Sequence, residues 1–229
     1  MKLEKIDEVV KNCSDLLKGV EIGSKGGNKT NRFVARPYLL NTWRIFHNTY
    51  KEDGNAYNLF PKEINGKRHL AFQLTAMYSL KNPINCGELP LNELEELFSK
   101  ESVDLMAGTP QYLEKVLGLP SELFKNLKVV VGGAYTPNKK LVQRIRELGA
   151  KPYWTYGSTD FMDAFTTLND FEDGYFVHQG RFEKSGKELI YNNSRFKEAI
   201  RTGDIGEIIE KNGKQFIKTY SIKKMVTRS

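Results

Sequence analysis

Residues 128–160 read KVVVGGAYTPNKKLVQRIRELGAKPYWTYGSTD. KVVV carries three consecutive β-branched residues and predicts a buried strand that ends in the tight turn Gly132-Gly133-Ala134. The period then changes. In TPNKKLVQRIRELG, Leu141, Ile145 and Leu148 recur at helical spacing, Thr136 is placed to cap the helix, Pro137 fits its first turn and Gly149 ends it. KPYWTY reads as a second strand, followed by the polar turn Gly157-Ser158-Thr159-Asp160. A strand, a helix of this length and a strand form a βαβ unit, so these two strands are expected to be parallel.

The pattern extends in both directions. Upstream, LPLNELEELFSKESVD reads as a helix and turn, DLMAGTP as a short buried strand, and PQYLEKVL as a helix opened by proline. Before these, DGNAYNLFPKEINGKR reads as turns around short extended pieces and HLAFQLTAMYSL as a helix. Leu3, Ile6, Val9, Val10, Cys13, Leu16 and Leu17 give residues 2–18 an amphipathic helix ending at Gly19. EIGSKGGNKT then reads as a glycine-rich loop, and RPYLLNTWRIFHNTY as mostly helical. Downstream of Asp163 the texture becomes short extended pieces, YFVH, KELIY, GEIIE and KQFIKT, separated by DG, SG, NN and NG turns. The expected fold is therefore α/β: a partly parallel sheet with flanking helices and a βαβ core, followed by a β-rich C-terminal portion. We expect a single domain over 1–229, with an α/β part at 1–163 and a β-rich part at 164–229.

Composition narrows the function classes. With 39% hydrophobic and 28% charged residues the chain suits a soluble globular protein. No apolar run approaches the roughly 20 residues of a membrane-crossing helix. Cys13 and Cys86 lack metal-ligand spacing, which points to a reducing, cytoplasmic setting. The net charge of +7 invites a nucleic-acid reading, and residues 211–229 hold six Lys or Arg with no acid. The middle of the chain mixes signs, however, so the basic tail suits a phosphate-bearing ligand or a protein partner as well, and nucleic acid is the weaker alternative.

Ligands of parallel α/β sheets sit beyond the carboxyl ends of the strands. Gly132, Gly133 and Ala134 lie at one such end; Gly157, Ser158, Thr159 and Asp160 lie at the next. Glycines admit a flat ring or a phosphate close to the backbone, hydroxyls bond phosphate oxygens, and a carboxylate can hold Mg²⁺. A nucleotide fits that set. Asp204, in RTGDIGEI at 201–208, reads as a turn residue whose two oxygens could accept both ribose hydroxyls. Each motif alone is most simply a turn.

In order and spacing, GGA, YGSTD and RTGDIGEI together resemble the adenylate-forming superfamily of acyl-CoA synthetases, peptide-synthetase adenylation domains and luciferases. That family shows a GGA turn, an aromatic-Gly-x-Thr-Glu turn and a Thr-Gly-Asp turn in the same sequence. DGYFVHQG and EAIRTGD are similar to its phenylacetate-CoA ligase and acyl-protein synthetase branches. The resemblance covers about residues 100–217. It implies ATP and Mg²⁺ as cofactors, a small-molecule carboxylate as substrate, acyl-AMP as product, and CoA or a carrier protein as acceptor. Residue by residue, it implies Gly132, Gly133 and Ala134 beside the adenine, Tyr156 stacking on it, and Gly157 and Ser158 in the same turn. It further implies Thr159 at the α-phosphate, Asp160 in place of the magnesium-binding glutamate, and Asp204 on the ribose. Asp160 is one methylene shorter than that glutamate.

The stretch GSKGGNKT offers a phosphate loop of Gly23, Ser24, Gly26, Gly27, Lys29 and Thr30, with Lys29 as the charged, catalytic member. It is also one residue from a Walker A loop, with Asn28 in place of the second glycine, but KVVV ends in glycines rather than in the magnesium-binding Asp a Walker ATPase would want. The family's large leading subdomain is not expected, since 22 residues precede Gly23, nor is its mobile lysine-bearing domain, since the chain stops at Ser229. In TYSIKK, Tyr220 and Ser221 stand where the family's hinge has Gly and Arg, and LFPKEING offers Lys62 where it has a histidine. His47, His69 and His178 match no zinc or hydrolase pattern, although His178 falls between two of the nucleotide motifs. The leading expectation is a minimal adenylate-forming ligase. The alternative is a non-catalytic AMP- or ATP-binding module, or one that completes its site with a protein partner or a second copy.

Overall fold

A computed structural model of the chain describes residues 20–24, 27–31, 54–64, 67–69, 82–133, 137–158, 163–167, 174–177, 180–194 and 197–222. The helices expected at 2–18 and 36–50 lie outside the described residues, as do residues 70–80 of the one expected at 69–80.

The first strands, β1 (Val20–Ser24) and β2 (Gly27–Asn31), form an antiparallel hairpin rather than the expected loop. After β3 (Asn55–Asn58), the short strands β4 (Glu63–Ile64) and β5 (Lys67–His69) complete a four-stranded sheet in the order β2-β1-β5-β4. His69 thus closes a strand instead of opening a helix. The glycines lie at the turn end of the hairpin, Gly23 pairing with Asn28 and Gly27 with Ser24.

The rest of the chain builds one larger sheet. In order come β6 (Asn82–Asn85), α1 (Leu91–Lys100), β7 (Leu105–Gly108), α2 (Pro110–Val116), a 3₁₀ turn (Ser121–Phe124), β8 (Val129–Gly132), α3 (Lys139–Glu147) and β9 (Lys151–Ser158). Strands β6, β3, β7, β8 and β9 are mutually parallel neighbours. LMAG and VVVG are buried at every position, as central parallel strands covered on both faces must be. Leu94 and Phe98 of α1, Leu113 and Val116 of α2, and Leu141 and Ile145 of α3 belong to the core that covers them.

Helix α3 begins two residues later than its sequence suggests. Asn138 is the cap, its side-chain oxygen accepting from the Leu141 N–H at 2.8 Å, in place of Thr136, which lies outside the described residues. Gly149, at φ +77°, ends the helix as expected, with its N–H on the Arg146 carbonyl.

Beyond β9 the sheet turns antiparallel. Strand β9 pairs with β10 (Asp163–Thr167), Ser158 facing Asp163 and Gly157 facing Ala164. Gly157 and Ser158 are therefore strand residues, where the sequence suggested a turn. The sheet continues through β11 (Tyr175–Phe176) to β12 (Arg181–Ser185), β13 (Glu188–Asn192), β14 (Ile200–Lys211) and β15 (Lys214–Ile222), giving the order β12-β13-β14-β15-β11-β10-β9-β8-β7-β3-β6. A single eleven-stranded sheet thus runs from the parallel half into the antiparallel half.

Candidate functional site

Strand β14 carries the RTGD motif within its length, not in a turn before it. Glu188 pairs with Ile205 and Ile190 with Arg201, so Thr202, Gly203 and Asp204 together face Leu189 alone. The surplus residues form a bulge, and Gly203 takes φ +74°, a left-handed conformation natural to glycine. Side chains lock the bulge from β13. The Thr202 hydroxyl donates to the Leu189 carbonyl at 2.7 Å and accepts from the Asp204 N–H at 3.1 Å. Glu188 accepts from the Gly203 N–H at 3.0 Å and from the Arg201 guanidinium through Nε at 3.0 Å and through Nη2.

This bulge re-aims Asp204 inward. The carboxylate is 6% exposed and its Oδ2 accepts a hydrogen bond from the hydroxyl of Tyr156 on β9. Two sequence motifs 48 residues apart thereby meet in a buried contact. The Tyr156 ring is itself buried, with its centroid 5.5 Å from that of Tyr175 and 6.3 Å from that of Phe182. Burial, and then the neighbouring Asp204 charge, hold the Tyr156 hydroxyl well above its ordinary 10. Burial also raises the Asp204 carboxyl above its ordinary 3.8; the Tyr156 hydrogen bond opposes that shift and the Glu188 charge adds to it.

At the end of β8, Gly132 and Gly133 are both buried. A Cβ on Gly132 would run into the indole of Trp154, and one on Gly133 would lie 2.7 Å from the Thr155 hydroxyl. The close approach these glycines permit is therefore made by two side chains of β9. Thr155 also donates to the Gly132 carbonyl at 3.2 Å, tying the two strand ends together.

A second polar group lies at the carboxyl ends of β3 and β6. Asn58 is fully buried; its side-chain amide donates to Asn85 at 3.0 Å, while its backbone carbonyl accepts from the Gly87 N–H at 2.9 Å. Lys62 lies beside Gly87, and its charge partly offsets the upward push of burial on the Cys86 thiol. Thr109, just past β7, donates to Glu88 at 3.3 Å. A shallow pocket of about 360 Å³, lined by Arg181, Asn192, Ser194, Lys197 and Glu198, sits at the end of β13 opposite Glu188, away from Asp204.

No family model and no curated protein matches the sequence. Solved structures do match. The o-succinylbenzoate CoA synthetase of Bacillus subtilis, bound with a product analogue, superposes at a TM-score of 0.57 and 13% identity, over 82% of this chain and 46% of its own. A malonyl-CoA ligase in complex with methylmalonyl-CoA and AMP gives 0.59 and 13%, over 90% and 52%. A long-chain-fatty-acid-CoA ligase from Archaeoglobus fulgidus gives 0.59 and 13%, over 87% and 50%. The chain has the adenylate-forming fold. It corresponds to part of the large domain and spans about half the length of these solved chains.

Within the adenylate-forming fold, the residues singled out from sequence fall into three groups. Gly132, Gly133, Tyr156, Gly157, Ser158 and Asp204 belong to the eleven-stranded sheet, and of these Tyr156 and Asp204 are in direct contact. Gly23, Ser24, Gly27, Lys29 and Thr30 belong to the β1–β2 hairpin, which shares no backbone pairing with that sheet among the described residues. Gly26, Ala134, Thr159 and Asp160 lie outside the described residues, as do His47 and His178. Among the described residues no group of three or more His, Cys, Asp or Glu is placed to hold a metal, and no helix is long and apolar enough to cross a membrane.

Sequence reasoning missed Glu188, Arg201 and Thr202, which hold the bulge. Glu188 opens an ordinary strand, and only the β13–β14 register shows that it faces the motif.

Proposed function

We propose that this chain is part of an AMP-forming acid ligase. It would bind ATP and Mg²⁺ and activate a carboxylate: a substrate oxygen bonds to the α-phosphorus, the bond from that phosphorus to the β-phosphate bridging oxygen breaks, and pyrophosphate leaves. CoA or a carrier protein would then accept the acyl group. In this reading Asp204 accepts from the ribose hydroxyls, and Gly132, Gly133 and Ala134 border the adenine. Thr159 contacts the α-phosphate, Asp160 brings Mg²⁺, and Lys29 neutralises the phosphates. Preorganised charge of this kind stabilises what develops at phosphorus in the transition state.

The observation that carries the reading is the contact between Tyr156 and Asp204. Two motifs that the resemblance assigns to one nucleotide are distant in sequence and meet in a buried hydrogen bond. A buried carboxylate in a bulge of the antiparallel half, reached by the last strand of the parallel half, is a suitable acceptor for vicinal hydroxyls.

Pyrophosphate exchange into ATP, measured over a panel of carboxylic acids with Mg²⁺, tests the ligase directly. Exchange that requires one acid class is the expected result; no exchange with any acid, in a chain that still binds AMP, would identify a nucleotide-holding module instead. Calorimetry sharpens the distinction, because a ligase binds an acyl-sulfamoyl adenosine at least about a hundredfold more tightly than AMP.

A further inference from the structure

This inference rests on the nucleotide reading and concerns what Tyr156 does within it. The sequence motif presents Tyr156 as a ring for adenine to lie on, whereas the geometry gives its hydroxyl a task of its own. The ring is buried and packed against Tyr175 and Phe182, which fixes the direction in which the O–H points. It points at Asp204 Oδ2. Among the described residues no other side chain donates to that carboxylate. Thr202 is engaged with Leu189, with the Asp204 N–H and with the Tyr156 hydroxyl itself, while Arg201, the cation next along β14, is bound to Glu188.

We infer that Tyr156 is a positioning residue for nucleotide binding: its hydroxyl holds Asp204 Oδ2 and so turns the carboxylate, leaving Oδ1 to accept from the ribose of an adenine nucleotide. The surroundings explain why a holder is needed. Asp204 is buried, Glu188 on β13 faces it with like charge, and both push its carboxyl towards the neutral form; the Tyr156 hydrogen bond pushes the other way. Tyr156 keeps its proton throughout, because burial and the Asp204 charge place its own titration well above 10. Tyr175, the other phenol against Tyr156, packs through its ring.

The test is calorimetric titration of AMP into the full chain from about pH 4 to about pH 8, for the wild type and for Tyr156→Phe. Affinity in the wild type should fall as pH drops through the Asp204 titration, because a protonated carboxyl loses its acceptor charge. Tyr156→Phe keeps the ring and removes the hydroxyl. The midpoint of its profile should rise, and AMP should bind about tenfold more weakly near that midpoint. Wild-type affinity with an unmoved midpoint would overturn the inference and leave Tyr156 as a ring alone. A wild type that binds no AMP at any pH would instead remove the nucleotide reading itself. Should the phenylalanine variant not fold, global replacement of tyrosine by fluorotyrosine, a more acidic donor of nearly the same shape, should lower the midpoint; an unchanged midpoint would overturn the inference as well.

Discussion

Asp204 sits where its charge costs free energy, and a pH dependence follows. Its folded pKa is raised above the ordinary 3.8, with burial the leading cause. The stability contributed by the protonated carboxyl is present below the unfolded value and is lost as pH rises through the folded one. Asp204→Asn keeps an acceptor for Tyr156 and removes the charge, so the variant should be more stable than the wild type at neutral pH and converge with it in acid. Urea midpoints on the two sides of that window measure this, and a variant less stable at neutral pH would contradict it. Tyr57 offers a second residue-scale check. Its hydroxyl is buried without a hydrogen-bond partner among the described residues, and its ring meets Phe98 edge-on at 4.9 Å. A buried unsatisfied hydroxyl costs about 1–3 kcal/mol, so Tyr57→Phe should be neutral or stabilising in thermal unfolding. At this scale the sequence offered residues chemically suited to a nucleotide, Asp160 above all and Asp204 among them. It did not show that Tyr156 turns its hydroxyl to Asp204, because that contact depends on where β9 and β14 lie in a sheet assembled from the whole chain.

Elements were legible where one local rule dominates. KVVV, LMAG and PQYLEKVL form the strands and helix their apolar content demands, because parallel strands are buried on both faces and Pro suits a first helical turn. They were illegible where two rules compete. Thr136 and Asn138 are both acceptable caps, and Asn138 prevails, with its amide also reaching Glu114 at 3.2 Å. Asn138→Ala should therefore cost about 0.5–2 kcal/mol in chemical denaturation, with Asn138→Ser restoring most of it. The glycines of GGA read equally well as ligand approach or as packing, and around Gly132 the packing partner is Trp154. Since Trp154 is itself fully buried, Gly132→Ala should destabilise by roughly 1–3 kcal/mol and perturb the tryptophan fluorescence even without nucleotide. An alanine that left both unchanged would show that the indole yields. The RTGD motif read as a turn because glycine and aspartate usually mark one; within β14 they mark a bulge instead, which inserts residues without ending the strand.

Across the whole molecule, one eleven-stranded sheet joins a parallel half built on βαβ crossovers to an antiparallel half built on hairpins. Strand β9 belongs to both, pairing parallel with β8 and antiparallel with β10. The change of texture near Asp163 revealed the two halves in sequence, and the pairing of β9 explains how they share one core that runs from Tyr57 to Ile217. The nucleotide reading draws on both halves, since Tyr156 comes from β9 and Asp204 from β14. Binding there should stabilise the fold by mass action, about 2.7 kcal/mol at a hundredfold excess over Kd. The most direct measurement is calorimetric titration of AMP into the wild type and into Asp204→Asn at neutral pH, where the variant remains folded. One-site binding in the wild type, weakened about tenfold or more in the variant, is the expected result; no binding by the wild type, or equal affinity in the two proteins, would contradict the assignment of Asp204 to a nucleotide.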